Sequence, residues 1–124
     1  MRANNYQYAA LRTAGAKGDD LIINCALGLS GESGEVVDMV KKHFFQGHDL
    51  DRIALAKELG DVAWYLTVMA YCINMNLSDV LEMNIEKLKD RYPDGFSVEK
   101  SINRGDEIEP KQGTPESTSP ESSL

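Results

Sequence analysis

The chain has 124 residues, enough for one domain with its own core, and its 42% hydrophobic content is that of a globular protein rather than a disordered one. Its formal charge of −7 argues against a broad nucleic-acid or acidic-lipid surface, because both require a basic patch. The longest apolar stretch, residues 62–73, is too short for a bilayer, which takes roughly 20 residues, and the first six residues lack the apolar run of a secretory leader; a cytoplasmic protein with no nucleic-acid or membrane partner is expected.

Helical periodicity dominates the sequence. Asn4 or Asn5 is expected to cap a first helix running to about residue 14, where Gly15 and Gly18 break it. Asp19 or Asp20 then caps a second helix, apolar at Leu21, Cys25, Leu29, Val36 and Val40, which Gln46-Gly47-His48 ends. Asp49 or Asp51 caps a third, continuing to about residue 75. Ser78 or Asp79 opens a fourth, which stops before Pro93. No segment alternates with period two long enough for a sheet, so the fold class expected is all-α, a bundle of four to five helices.

The third helix is apolar on two opposed sides. Leu55, Leu59, Val62, Leu66, Met69 and Ile73 fall within about 80° of arc, with Trp64, Val68, Tyr71 and Met75 opposite. Both faces need cover. One packs in its own bundle and the other calls for a second layer, so a homodimer or homotetramer is expected, with Trp64 in the interface. Cys25 and Cys72 sit in apolar helical stretches without a CxxC motif and read as buried free thiols. The tail is rich in Ser, Thr, Pro and Glu and carries no apolar spacing. A domain over residues 1–104 and a disordered tail over 105–124 are expected.

The chemistry is concentrated in acids. Glu32 and Glu35 are spaced i,i+3 on the second helix, and Glu58 and Asp61 are spaced i,i+3 on the third. Both pairs border apolar surface. Four carboxylates facing each other repel and need a cation. Oxygen-only donors favour magnesium, with manganese as a substitute, over zinc or iron. A di-iron bundle would need Glu-x-x-His twice, yet Val40 and Phe45 precede His43 and His48 at that spacing. Gly28, Gly31 and Gly34 cost helix stability, and room for a neighbouring helix or a ligand is the reason expected for them.

The acidic pairs resemble the E-x-x-E…E-x-x-D signature of the MazG-like all-α nucleoside triphosphate pyrophosphohydrolases. Gly28-Leu29-Ser30-Gly31-Glu32-Ser33-Gly34-Glu35-Val36-Val37-Asp38 is similar to the family's central segment. Glu58-Leu59-Gly60-Asp61-Val62-Ala63-Trp64-Tyr65 is similar to its second metal helix, and Arg91-Tyr92-Pro93-Asp94-Gly95-Phe96 to its closing turn. Many members carry a further glutamate where this chain has Gly31. The resemblance implies hydrolysis of nucleoside triphosphates to monophosphate and pyrophosphate, in the service of nucleotide house-cleaning. It makes Glu32, Glu35, Glu58 and Asp61 the magnesium ligands, with Asp38 a weaker fifth, and Glu32 or Glu35 the group that handles the water. Tyr65, Asn84, Lys87 and Arg91 would bind substrate, and Lys41 and Lys42 could neutralise phosphate. Tyr6, Gln7 and Arg12 are candidates for base recognition, and His43 and His48 read as turn residues. The alternatives are a narrow-specificity relative acting on dUTP, dCTP or phosphoribosyl-ATP, and a non-catalytic helical module that keeps a structural cation.

Overall fold

The structure, a computed structural model, describes residues 1–103, so the expected disorder of the tail lies outside the described residues. Five helices follow in order: α1 (Ala3–Leu11), α2 (Gly18–Gln46), α3 (Arg52–Cys72), α4 (Leu77–Arg91) and α5 (Val98–Ile102). No strand occurs among the described residues. The described residues divide into two compact units, the first Met1–Asn84 and the second from Ile85 onward.

Local signals set several helix ends. The Asp51 side chain accepts the Ile53 and Ala54 amides at 3.0 Å and so caps α3. Gly47, in the left-handed region at φ 72°, closes α2, and the His48 amide bonds back to the Lys42 carbonyl. His43 Nδ1 meets the His48 carbonyl at 2.8 Å, a hydrogen bond that requires the proton on Nδ1 and makes these histidines part of the turn.

Other ends depart from the sequence reading. α2 starts at Gly18 with no side-chain cap, and Asp19 and Asp20 lie inside its first turn, where they complement the helix dipole. α1 stops at Leu11 and α3 at Cys72. Asn74 takes φ 62°, turning the chain where continued helix was expected. The cap of α4 is remote: Asn4 Oδ1 on α1 accepts the Ser78 amide at 3.0 Å.

In the first unit α2 lies antiparallel along α3, and α1 packs on α3. Ala10, Leu21, Cys25 and Val68 form the buried centre, with Tyr6, Trp64, Tyr65 and Met69 packed around it. Trp64 therefore belongs to the chain's own core, and its indole N–H donates to Thr13 Oγ1 at 2.9 Å. Trp64 is only partly buried, so part of its surface remains available beyond the chain's own core. Val68 is fully buried on the Trp64 side, whereas Leu59 and Ile73 on the opposite side remain 52% and 59% exposed. Cover is partial on both faces: α1 packs on α3, yet Tyr71 on the Trp64 side is 55% exposed, while Met69 on the other side packs against the core. Both cysteines are free, and burial, then the neighbouring Cys72, pushes the Cys25 thiol above its usual range.

Gln7 ties the first unit together. Its Nε2 donates to the carbonyls of Thr67 and Met75, and its Oε1 accepts the Leu77 amide. Beside it Thr67 is fully buried, and its Oγ1 has no hydrogen-bond partner. An unsatisfied buried hydroxyl costs more than a methyl group of similar shape. Thr67→Val is expected to raise stability by about 1 kcal/mol; a lowered urea midpoint would show that the hydroxyl is used.

In the second unit, the end of α4 leads into a turn. There Gly95, at φ 89°, donates its amide to the Tyr92 carbonyl, and the Tyr92 and Phe96 rings pack 5.3 Å apart. Ser97 then caps α5.

Candidate metal centre

The antiparallel seam of α2 and α3 brings acids from both helices together. Carboxylate oxygens of Glu32, Glu58 and Asp61 all lie within 4.8 Å of one another. Glu32 and Glu58 are half-buried and Asp61 is exposed, so the cluster sits at the mouth of the seam. The Glu32 carboxyl is held above the usual carboxylate range. The first cause is a hydrogen bond shared with Glu58, followed by burial and then by the negative charges of Asp61, Glu58 and Glu35. The closeness of the three acids therefore makes the Glu32 carboxyl harder to ionise than a free glutamate.

Glu35 is not a member of this close group. It is exposed and acts on Glu32 through charge alone. The four acids expected to act together thus resolve into three that converge and one that stands off. Asp38 is further removed in role. Its carboxylate pairs with Lys42 at 2.6 Å and Lys41 at 3.6 Å, and the Lys42 hydrogen bond leads in holding it below the usual range. Both lysines expected to neutralise phosphate are therefore paired within α2.

The donor set fits a hard cation. Magnesium with ligands at about 2.1 Å in an octahedron places its oxygens roughly 3–4 Å apart. The three carboxylates need close only slightly to reach that spacing. No histidine or cysteine belongs to the group, so a zinc or di-iron set is absent among the described residues.

Aromatic groups border the acids. Tyr65, one turn beyond Asp61, is half-buried, its ring lying over Gly28 and meeting Trp64 edge-to-face at 5.0 Å. The space at Gly28 is filled by Tyr65, whereas nothing lies within 4 Å of a side chain built at Gly31 or Gly34. Burial, then the Asp61 charge, raises the Tyr6 phenol above its usual range, which places α1 beside the cluster.

Gln7 is not available for base recognition, because the core consumes its amide. Arg12 lines a separate cleft of about 530 Å³ with Tyr71, Asn74 and Asn76. Asn84 is exposed at the end of the first unit. Lys87 and Arg91 belong to the second unit, Lys87 exposed and Arg91 half-buried. Sequence reasoning missed the Tyr65–Gly28 contact. The only signal for it was a helix-interior glycine one turn from the first acid.

Residues 23–96 match the MazG nucleotide pyrophosphohydrolase domain family. The chain is 35% identical over 114 residues to the Gene 37 protein of Mycobacterium phage L5, an alignment covering 84% of this chain and 100% of that protein. No solved structure matches.

Proposed function

Since the chain belongs to the MazG nucleotide pyrophosphohydrolase family, we propose that it hydrolyses nucleoside or deoxynucleoside triphosphates between the α and β phosphates, with magnesium, to monophosphate and pyrophosphate. The observation that carries this reading is the convergence of Glu32, Glu58 and Asp61 from two helices into one oxygen-only cluster.

The three converging carboxylates hold the cation, which when bound stabilises phosphate charge as a Lewis acid. Glu32, Glu58 and Asp61 would hold the cation as carboxylates, the form in which a carboxyl offers its oxygens to a hard cation. Glu35, standing outside the close group, keeps its carboxylate free to orient the attacking water and accept its proton. Tyr6 and Tyr65 present half-buried aromatic walls beside the acids, against which the substrate can rest.

Pyrophosphate release is to be measured across common and modified nucleoside triphosphates, with and without magnesium. Monophosphate plus pyrophosphate supports the reading. Diphosphate plus orthophosphate, or magnesium binding with no turnover of any nucleotide, overturns it.

We also propose that the chain works as a homo-oligomer. The outer sides of α2 and α3 leave Leu27 70%, Val37 64%, Leu59 52% and Ile73 59% exposed, which is costly for a lone chain. No helix among the described residues is long and apolar enough to cross a membrane, so another protein surface is the natural cover. Leu27→Glu is expected to shift the mass measured by light scattering at micromolar concentration towards the monomer, by placing a charge in the buried contact. A parent chain that scatters as a monomer would sink the idea.

A further inference from the structure

The contact between Tyr65 and Gly28 stands apart from the other glycine positions. A Cβ on Gly28 would overlap the Tyr65 ring at Cδ1, Cε1 and Cζ, so no other residue fits beneath the ring as it lies. Gly28 is four residues before Glu32 on α2, and Tyr65 is four residues after Asp61 on α3. In an antiparallel pair this puts the contact one helical turn, about 5.4 Å, from the acids along the same seam. The ring has a second neighbour, on its own helix. Trp64 meets it edge-to-face, Trp64 donates to Thr13 Oγ1, and that hydroxyl donates to the Ala10 carbonyl at 2.8 Å. The separation of α2 from α3 at this level is thus one aromatic ring resting on bare backbone.

We propose that Tyr65 is a positioning residue: seated on Gly28, its ring sets the spacing of α2 and α3, and thereby the reach of Glu32 towards Glu58 and Asp61 for a shared cation. The inference rests on reading the acids as a metal site. It differs from a role for Tyr65 in touching substrate, because its effect is present before any nucleotide binds. Glu32 alone represents α2 in the close group, so a small outward displacement of α2 removes one donor in three. Groups that orient metal ligands typically matter by about 10–100-fold in affinity.

The test is manganese binding without nucleotide, followed by electron paramagnetic resonance on the full chain. Gly28→Ala is expected to weaken binding about tenfold or more. Gly34→Ala is expected to leave it unchanged, since that position faces open space. Adding Tyr65→Val to Gly28→Ala removes the three overlapping ring atoms and should recover most of the affinity. Tyr65→Phe should bind as the parent does, because the contact is made by ring carbon rather than by the hydroxyl, whereas Tyr65→Val alone should bind more weakly. The Phe and Val pair decides the matter even if Gly28→Ala fails to fold. Parent-like affinity in Gly28→Ala or in Tyr65→Val, or loss in Tyr65→Phe, overturns the positioning role while leaving the metal site standing. If the parent binds no manganese, or if Asp61→Asn binds as tightly as the parent, the metal reading itself fails and the inference with it.

Discussion

Asp61→Asn and Glu58→Gln are each expected to abolish nearly all of the proposed magnesium-dependent pyrophosphate release and to leave the helices folded. Each removes one of three converging donors, so a cation bound there would lose a third of its protein ligands. A loss of about a hundredfold or more is expected, in line with the electrostatic share of phosphate chemistry. Glu32→Gln should be equally inactive, but it carries a further signature. The Glu32 carboxyl is raised in the folded state by the hydrogen bond to Glu58, by burial and by neighbouring charge. The folded chain therefore binds that proton more tightly than the unfolded chain. Its contribution favours folding at acid pH and is lost as pH rises from the ordinary glutamate range through the raised value. At neutral pH and without metal, Glu32→Gln should melt higher than the parent, with the difference vanishing at low pH. Magnesium should raise the melting temperature of the parent more than that of any of the three variants. Parent-level turnover in all three variants would end the assignment.

Gln7→Leu is expected to cost about 3 kcal/mol of stability. Gln7 is 6% exposed, and its one amide serves the Thr67 and Met75 carbonyls and the Leu77 amide at 3.0–3.3 Å. Leucine fills the volume but leaves the Leu77 N–H without its acceptor at the start of α4. On a unit of this size the melting temperature should fall by about 15 °C. Gln7→Glu should be no better, because a carboxylate faces two carbonyls with nothing to donate. Chemical denaturation gives the value directly. A loss under about 1 kcal/mol would mean that water replaces the amide without penalty.

These two sites show how unevenly the structure was written into the sequence. The acids were legible because i,i+3 spacing fixes their side of a helix whatever surrounds it. The Asp51 cap, the Gly47 stop and the end of α4 before Pro93 were legible for the same reason, since each is decided within a few residues. Gln7 was not legible. Nothing near it in the chain asks for an amide, and its partners lie 60 to 70 residues away. The cap of α4 was misassigned to its own first residues because Asn4, the side chain that bonds there, arrives from α1.

The sequence by itself determined the all-helical class, the order of the first four helices, the family resemblance and the pairs of acids, while the short α5 went unforeseen. The class, the helices and the acid pairs follow from periodicity, local capping and motif spacing, which act over one or two turns; the family was read from the likeness of whole segments to its motifs. Only the tertiary structure decided which residues of the two apolar faces of α3 are covered, because that depends on where α1 and α2 pack; Val68 is fully buried and Trp64 packs partly on the core, while Leu59 and Tyr71 stay exposed. It also decided that three of the four acids converge and that Glu35 stands off. The reason is geometric. Spacing along one helix sets direction, but the distance between carboxylates on two helices is set by what lies between the backbones, and here that is one tyrosine ring on a glycine.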